Sequence, residues 1–379
     1  LHRSFALDKR IGRDLCMNYD AILLTSFGGP EGPDDVMPFL ERVTAGRGVP
    51  RERLEEVSHH YLALDGISPI NDQNRALLGA MREEFAARDI NLPIYWGNRN
   101  SDPYFADALR EIHADGHRSV LTLVTSAYSS YSGCRQYREN LAQALIEAEL
   151  VGKLRIDKIR HYFDHPGFVT PFAQGLARAV DASFAAGLKA NEVMIFFTTH
   201  SIPDSMADTS GPIGMRESYK GGMYVAQHET TAGLVTAQSK LYTDIQIPEW
   251  RLVYQSRSGS PSVPWLSPDI GDAIADAAKS GIKGVIVVPI GFVSDHVEVV
   301  WDLDNEAKEI AEENHLFFAR VATPGIDSQF VTAIAELVEE RVKNAPKKAL
   351  SELGPWADFC AVGCCPNGRA DLPTVAQLE

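Results

Sequence analysis

Met194-Ile195-Phe196-Phe197-Thr198-Thr199-His200-Ser201-Ile202-Pro203 is the stretch that decides how this chain folds. Its uncharged apolar start has the length and composition of a strand buried on both faces. Pro203 closes it, which leaves Thr-Thr-His-Ser at the carboxyl end, where open α/β sheets place their ligand sites. Working outward, the pattern recurs. Further strands are predicted at 21–26, 94–96, 120–124, 252–254 and 285–289, besides 193–198 itself. Amphipathic helical stretches lie between them at 53–64, 71–87, 104–114, 137–149 and 168–186. Apolar strands alternating with helices imply parallel sheets covered on both faces. The first strand opens into Ser26-Phe27-Gly28-Gly29-Pro30, much as the strand at 193–198 opens into its own loop. The expected fold is therefore α/β, with two doubly wound parallel-sheet domains facing each other across a cleft. Their expected limits are 19–160 and 161–346, with an extension at 1–18 and a tail at 347–379.

A chain of 379 residues, 45% hydrophobic and 23% charged, can bury two ordinary cores. A net charge of −15 disfavours nucleic acid and an electrostatic hold on an acidic membrane surface. No apolar run approaches the roughly 20 residues that cross a bilayer, so no transmembrane segment is expected. Residues 1–16 lack the apolar centre of a signal peptide, and Met17 reads as a start. The expected location is the cytoplasm and the expected state a monomer.

Two motifs carry chemistry. His200, at a strand end, suits metal ligation or proton transfer near neutral pH, although a hydrogen-bonded structural histidine has the same signature. The second motif runs from Pro289-Ile290-Gly291-Phe292 through Ser294-Asp295-His296-Val297-Glu298 to Glu306. Ser294 or Asp295 is the natural N-cap of a helix there. Glu298, Asp302 and Glu306 then stand at i, i+4 and i+8 on one face, better aligned still if the helix widens to a π-type turn. Like charges at this spacing repel, so a purely structural role is unfavourable, while a route for a divalent cation and for protons uses them well. The competing reading is a solvated acidic face.

Cys360, Cys364 and Cys365 crowd the tail, and Cys134 is the internal candidate for a fourth thiolate once Cys16 is set aside with the extension. Such a set suits zinc or an iron–sulfur cluster. The bland reading is an unligated tail.

Taken together, the His200-Ser201-Ile202-Pro203 turn, the Ser294-Asp295-His296-Val297-Glu298 turn and Gly66-Ile67-Ser68-Pro69-Ile70-Asn71 resemble the ferrochelatase family. Leu23–Pro30 and Pro264-Trp265-Leu266-Ser267-Pro268-Asp269 match as well, in the same order along the chain. Tyr95–Asn100, Ser132–Tyr137 and Val43–Gly48 look like its actinobacterial branch. The resemblance implies Rossmann-like domains of the chelatase type and an enzyme that inserts Fe²⁺ into coproporphyrin III to give coproheme. It implies that His200 and Glu298 face each other across the porphyrin and bind the iron, and that Ser68 and Tyr137 touch the macrocycle or its propionates. Tyr61 would stand beside the metal, because Phe27 occupies a position where many bacterial members carry tyrosine. Asp302 and Glu306 would relay iron and protons. Cys134, Cys360, Cys364 and Cys365 would hold a [2Fe–2S] cluster, with zinc as the alternative. The alternatives in function are a protoporphyrin IX ferrochelatase, a chelatase for another tetrapyrrole, or a haem- or metal-binding protein without catalysis.

Overall fold

A computed structural model describes residues 18–46, 48–259 and 262–378, so Cys16 and nearly all of the expected extension lie outside the described residues. One sheet is formed by β1 (Ala21–Ser26), β2 (Ile94–Asn98), β3 (Ser119–Val124) and β4 (Arg155–Lys158). A second is formed by β5 (Val193–His200), β6 (Glu249–Gln255), β7 (Gly284–Val288) and β8 (Phe317–Arg320). The orders are β2-β1-β3-β4 and β6-β5-β7-β8, with every pairing parallel. Both halves thus repeat one topology. In each, the chain leaves the first strand and returns on either side of it, so a crevice opens at the carboxyl ends of β1 and β3, and of β5 and β7.

The central strands are buried along their length because each is an unbroken apolar run covered by helices on both faces. Their observed limits match the sequence pattern or extend it by a few residues, except that β7 is shifted by one and stops at Val288, before Pro289. Strand β5 continues to His200, and β2 to Asn98. Strands β4 and β8 were not expected. Each is a four-residue edge strand: Arg155-Ile156-Asp157-Lys158 of β4 has no apolar run, whereas Phe317-Phe318-Ala319 of β8 is apolar but short and half-exposed.

The halves share one core. Its largest hydrophobic cluster joins Ile22 and Leu24 of β1 to Ile195 and Phe197 of β5 through Phe168, Phe172 and Leu176 of the Pro166–Ala185 helix. The last long helix, Ser328–Val342, adds Phe330 and Ile334 and packs back onto the Ile70–Ala87 helix of the first half. Polar contacts cross the cleft floor as well. The Tyr128 hydroxyl donates to Ile290 O at 2.9 Å, and the Ser129 and Asp295 amides donate to the side-chain oxygens of Gln227 and Gln73 at 2.7 and 2.8 Å. No helix among the described residues is long and apolar enough to cross a membrane.

In this shared core Arg160 is fully buried against two carboxylates, those of Glu340 and Asp164. Arg160 grips Glu340 in a fork, with Nε to Oε2 at 2.7 Å and Nη2 to Oε1 at 2.9 Å. Burying charges is costly, and removing Glu340 leaves Arg160 with the more distant Asp164 carboxylate, 3.9 Å away, as its counter-charge in a low-dielectric interior. Glu340→Ala is therefore expected to lower the unfolding free energy by about 3 kcal/mol in urea titrations. A loss below about 1 kcal/mol would mean that Arg160 finds water or another partner with ease.

Candidate active site

The site is assembled where β5 and β7 end. The Gly291 amide donates to Thr198 O at 3.0 Å, which brings the loop after β7 against the end of β5. A Cβ on Gly291 would lie 2.2 Å from Thr199 Oγ1 and 2.8 Å from Thr199 Cα, so only glycine allows this approach. On the other side, the Ser201 amide donates to Gln255 O at 2.7 Å. The His200 ring is oriented by its own turn. Nδ1 faces Ser201 O, and since a carbonyl oxygen only accepts, Nδ1 carries a proton, so in the neutral ring Nε2 is the nitrogen with the lone pair. Nε2 stands 3.7 Å from Glu298 Oε2, with both side chains partly open to solvent. His296 Nδ1 lies 3.9 Å from the same oxygen, and burial pushes its imidazole below the usual range.

His200 and Glu298 thus stand as a close pair in the cleft.

The acid row is as the spacing suggested, but its helix starts later. Asp295 does not cap it, because its carboxylate is taken by Arg320 at 3.1 and 3.2 Å and by the Thr323 hydroxyl at 3.1 Å. One helical turn, Val297–Val299, leads into a π-helical segment, Val300–Ala307. The widened turn lines up residues four apart better than a 3.6-residue turn does. Arg320 also forks onto Asp304 at 2.6 and 2.9 Å and so holds the segment. Glu298 stands in the cleft beside His200. Asp302 follows, accepting from the Ser256 hydroxyl and from Gln255 Nε2. Glu306 is exposed and accepts from Trp301 Nε1 at 2.9 Å. Burial, reinforced by Glu298 and Glu306, pushes the Asp302 carboxyl up to about 8, against the pull of the Ser256 hydrogen bond.

The other expected residues divide. Tyr61 is buried against Phe39, and its hydroxyl is pushed up by burial first and then by Glu298 and Asp302, so it is a neutral phenol alongside the acid row. Ser68 is buried in the loop facing the first glycines, where a Cβ on Gly29 would come within 2.5 Å of its own. Tyr137 lies in the first-half core, packed on Phe105 with the Arg99 guanidinium 4.8 Å above its ring. The structure thus joins His200, Glu298, Asp302, Glu306 and Tyr61, while Ser68 and Tyr137 make their contacts in the first half. Sequence reasoning missed Gln255, Ser256 and His60. The first two stand at the carboxyl end of β6, a location that the strand pattern could have flagged. His60 stacks on Trp301 with ring centroids 4.6 Å apart, a contact between elements far apart in sequence.

Cys134, buried in the short π-helical segment Tyr131–Arg135, meets the tail. Its sulfur is 3.8 Å from that of Cys360, and the sulfurs of Cys364 and Cys365 are 3.7 Å apart. Among the described residues, no group of three or more His, Cys, Asp or Glu side chains stands ready to hold a metal ion. The expected four thiols lie in one connected run, with Cys360 in contact with Cys364 as well as with Cys134. Two sulfurs bound about 2.3 Å from one tetrahedral metal lie about 3.8 Å apart, so each pair fits one metal by itself. Contact with Cys360, then burial, pushes the Cys134 thiol up, so these sulfurs do not all ionise without a cation. The tail is anchored around them by Asn367 to Glu139 at 3.0 Å and by Arg138 to Thr374 at 3.3 Å.

The family model described as Ferrochelatase matches residues 19–342. A coproporphyrin III ferrochelatase of Streptomyces griseus is 53% identical over 95% of this chain and 96% of its own. One of Leifsonia xyli is 52% identical over 95% and 94%. Among solved structures, SirB from Bacillus subtilis with Fe³⁺ is similar at a TM-score of 0.48 and 10% identity, covering 86% of this chain and 96% of that one.

Asp302 yields a stability prediction. Its carboxyl ionises near 3.8 in its ordinary state but near 8 in the fold. As pH rises through that window the unfolded chain gives up this proton first, so the raised value costs the folded state progressively more. Asp302→Asn removes the cost. Its stability relative to the parent should climb between about pH 4 and about pH 8 and level off above that, as read by urea titrations. A pH-independent difference would place an ordinary carboxylate at 302.

Proposed function

The chain belongs to the ferrochelatase family, and from that membership we propose that it inserts Fe²⁺ into coproporphyrin III, giving coproheme, with His200 and Glu298 as the reacting pair. The observation that carries the proposal is the 3.7 Å approach of His200 Nε2 to a Glu298 oxygen at the head of the acid row. Insertion removes two pyrrole protons and strips water from the cation. His200 Nε2 is a base with its lone pair directed at the reacting position, and Glu298 supplies charge for the iron as its water leaves. Both act from one face of the macrocycle. Binding energy along the macrocycle edges bends it, which exposes the pyrrole lone pairs to that face.

Asp302, titrating near 8, takes and passes on a proton at little cost near neutral pH, and Glu306 delivers it to solvent. Tyr61 keeps its proton and lines the row as a neutral donor. Ser68 belongs to the first-half rim of the porphyrin cleft, and Tyr137 supports that rim through Arg99, which also lies 5.3 Å over the Phe27 ring. The choice of coproporphyrin III follows the relatives' names and the polar first loop, where Glu31, Asp34 and Asp35 are exposed. A single chain holds both reacting groups, so a monomer suffices. Free thiols suit a reducing cytoplasm.

The cysteine pairs belong to the same proposal. Cys134 with Cys360, and Cys364 with Cys365, would each hold one iron of a [2Fe–2S] cluster. One zinc held by all four thiolates is the alternative, since Cys360 also touches Cys364. Such a group supplies a cross-link between the tail and the first half, and no step of the insertion is routed through it.

His200→Ala and Glu298→Gln should each lower kcat for coproporphyrin III by at least about 100-fold with circular dichroism unchanged. Near-normal turnover in either variant would remove that residue from the reaction. Side-by-side assays should show faster use of coproporphyrin III than of protoporphyrin IX, and the reverse order would overturn the substrate assignment. Anaerobically purified protein should be reddish-brown with about two irons and two sulfides per chain, lost on Cys134→Ser. Colourless protein with about one zinc would replace the cluster with a structural zinc site.

A further inference from the structure

The carbonyl group of His200 lies beyond the β5–β7 ladder, which ends where Phe197 faces Val288. Its oxygen accepts instead from the Tyr224 hydroxyl at 2.8 Å. That hydroxyl has one proton, so its second contact, Thr199 Oγ1 at 2.8 Å, is made as an acceptor. Tyr224 therefore holds the peptide after His200 and the side chain before it. Thr199 is the residue on which Gly291 presses, and the peptide plane held at His200 O leads directly to Ser201 O, the acceptor that orients the imidazole.

Tyr224 is itself held from the opposite direction. It sits in the first turn of the Gly222–Ser239 helix with only 7% of its surface exposed. Its amide donates to Ser210 Oγ at 2.7 Å, and the Met223 amide donates to Ser210 O at 3.1 Å. The next amide, Gly211, donates to Cys365 Sγ at 3.0 Å. Gly211 has φ +87, and a Cβ there would fall 2.3 Å from Met223 Cγ, so the turn admits no side chain. Arg216 braces the same turn to the tail, donating to Thr209 O at 2.8 Å and Gly363 O at 3.3 Å. An unbroken run of contacts leads from the cysteine-bearing tail to the His200 turn without passing through the cleft.

We propose that Tyr224 is the positioning residue of His200 and that the turn at 209–211 conveys to it how the tail is seated at Cys365. The proposal rests on His200 being the reacting imidazole, and its test has a readout independent of turnover. Tyr224→Phe removes one oxygen and keeps the ring. Its kcat for metal insertion should fall on the order of tenfold to a hundredfold, as expected when a reacting group is displaced by a fraction of an ångström to an ångström. The KM for porphyrin should stay within about twofold and the visible absorption of the tail site should be unchanged. In ¹⁵N-imidazole spectra, His200 should change from a single Nδ1–H tautomer to a mixture. A residue that merely stabilises the fold would lower Tm and leave kcat and the imidazole signal alone, and that result overturns the positioning role. If the parent protein metallates no porphyrin, the function fails while the imidazole signal still decides this proposal. For the tail, Arg216→Gln and Cys365→Ser should each perturb the His200 signal in the parent, and add nothing in the Tyr224→Phe background. An unperturbed His200 signal in Arg216→Gln, which keeps every thiol, overturns the link to the tail.

Discussion

Where β5 and β7 end, the backbone of Gly291 lies against Thr199 with no room for a single methyl group, since a Cβ would stand 2.2 Å from the threonine hydroxyl. Everything chemical in the molecule is arranged around that contact. It sets how far the loop leading to Glu298 stands from the strand carrying His200, whose Nε2 lies 3.7 Å from Glu298 Oε2. A pair held at fixed separation by backbone packing does not have to be collected from mobile side chains when substrate arrives. The parallel topology makes the contact possible, because β5 and β7 are neighbours and both point their carboxyl ends at one crevice.

The acid row is the costly part of the design. Glu298, Asp302 and Glu306 share one face, and the middle carboxyl is driven up to about 8 mainly by its burial. The fold offsets this strain locally. Arg320 bridges Asp295 and Asp304, the loop before the π-helical segment and its outer side, while Gln255 and Ser256 of the β6 end steady Asp302. Outside the row, the shared core and the buried Arg160–Glu340 fork keep the two halves at one distance, so the cleft has a rigid floor. Functional sites commonly store cost of this kind where the surrounding structure over-determines the geometry.

Much of this was legible in the sequence, for identifiable reasons. The central strands are continuous apolar runs, and β1 was delimited correctly from Ala21 to Ser26. The row at 298, 302 and 306 was legible because its spacing is local, and the wider π turn only improves an alignment already present. What stayed hidden depends on partners distant in sequence. Asp295 reads as a helix cap until Arg320 is found to hold its carboxylate. The edge strand β4 carries no apolar signal of its own, and that of β8 is short. The 3.7 Å between His200 and Glu298 is a distance that no spacing encodes. Tyr224 was invisible because its key partner is a backbone carbonyl group, and because the amide that links its turn to Cys365 belongs to a glycine.

The account stands or falls on where a divalent cation meets this protein. Crystals soaked anaerobically with Fe²⁺ and coproporphyrin III bearing an N-methyl group, which blocks completion of the reaction, would locate the metal by anomalous scattering at the iron edge. The account predicts iron about 2.1 Å from His200 Nε2 and from a Glu298 oxygen, with both ligands on the same face of the macrocycle. Iron bound only along Asp302 and Glu306, or a macrocycle lying between His200 and Glu298, would contradict it.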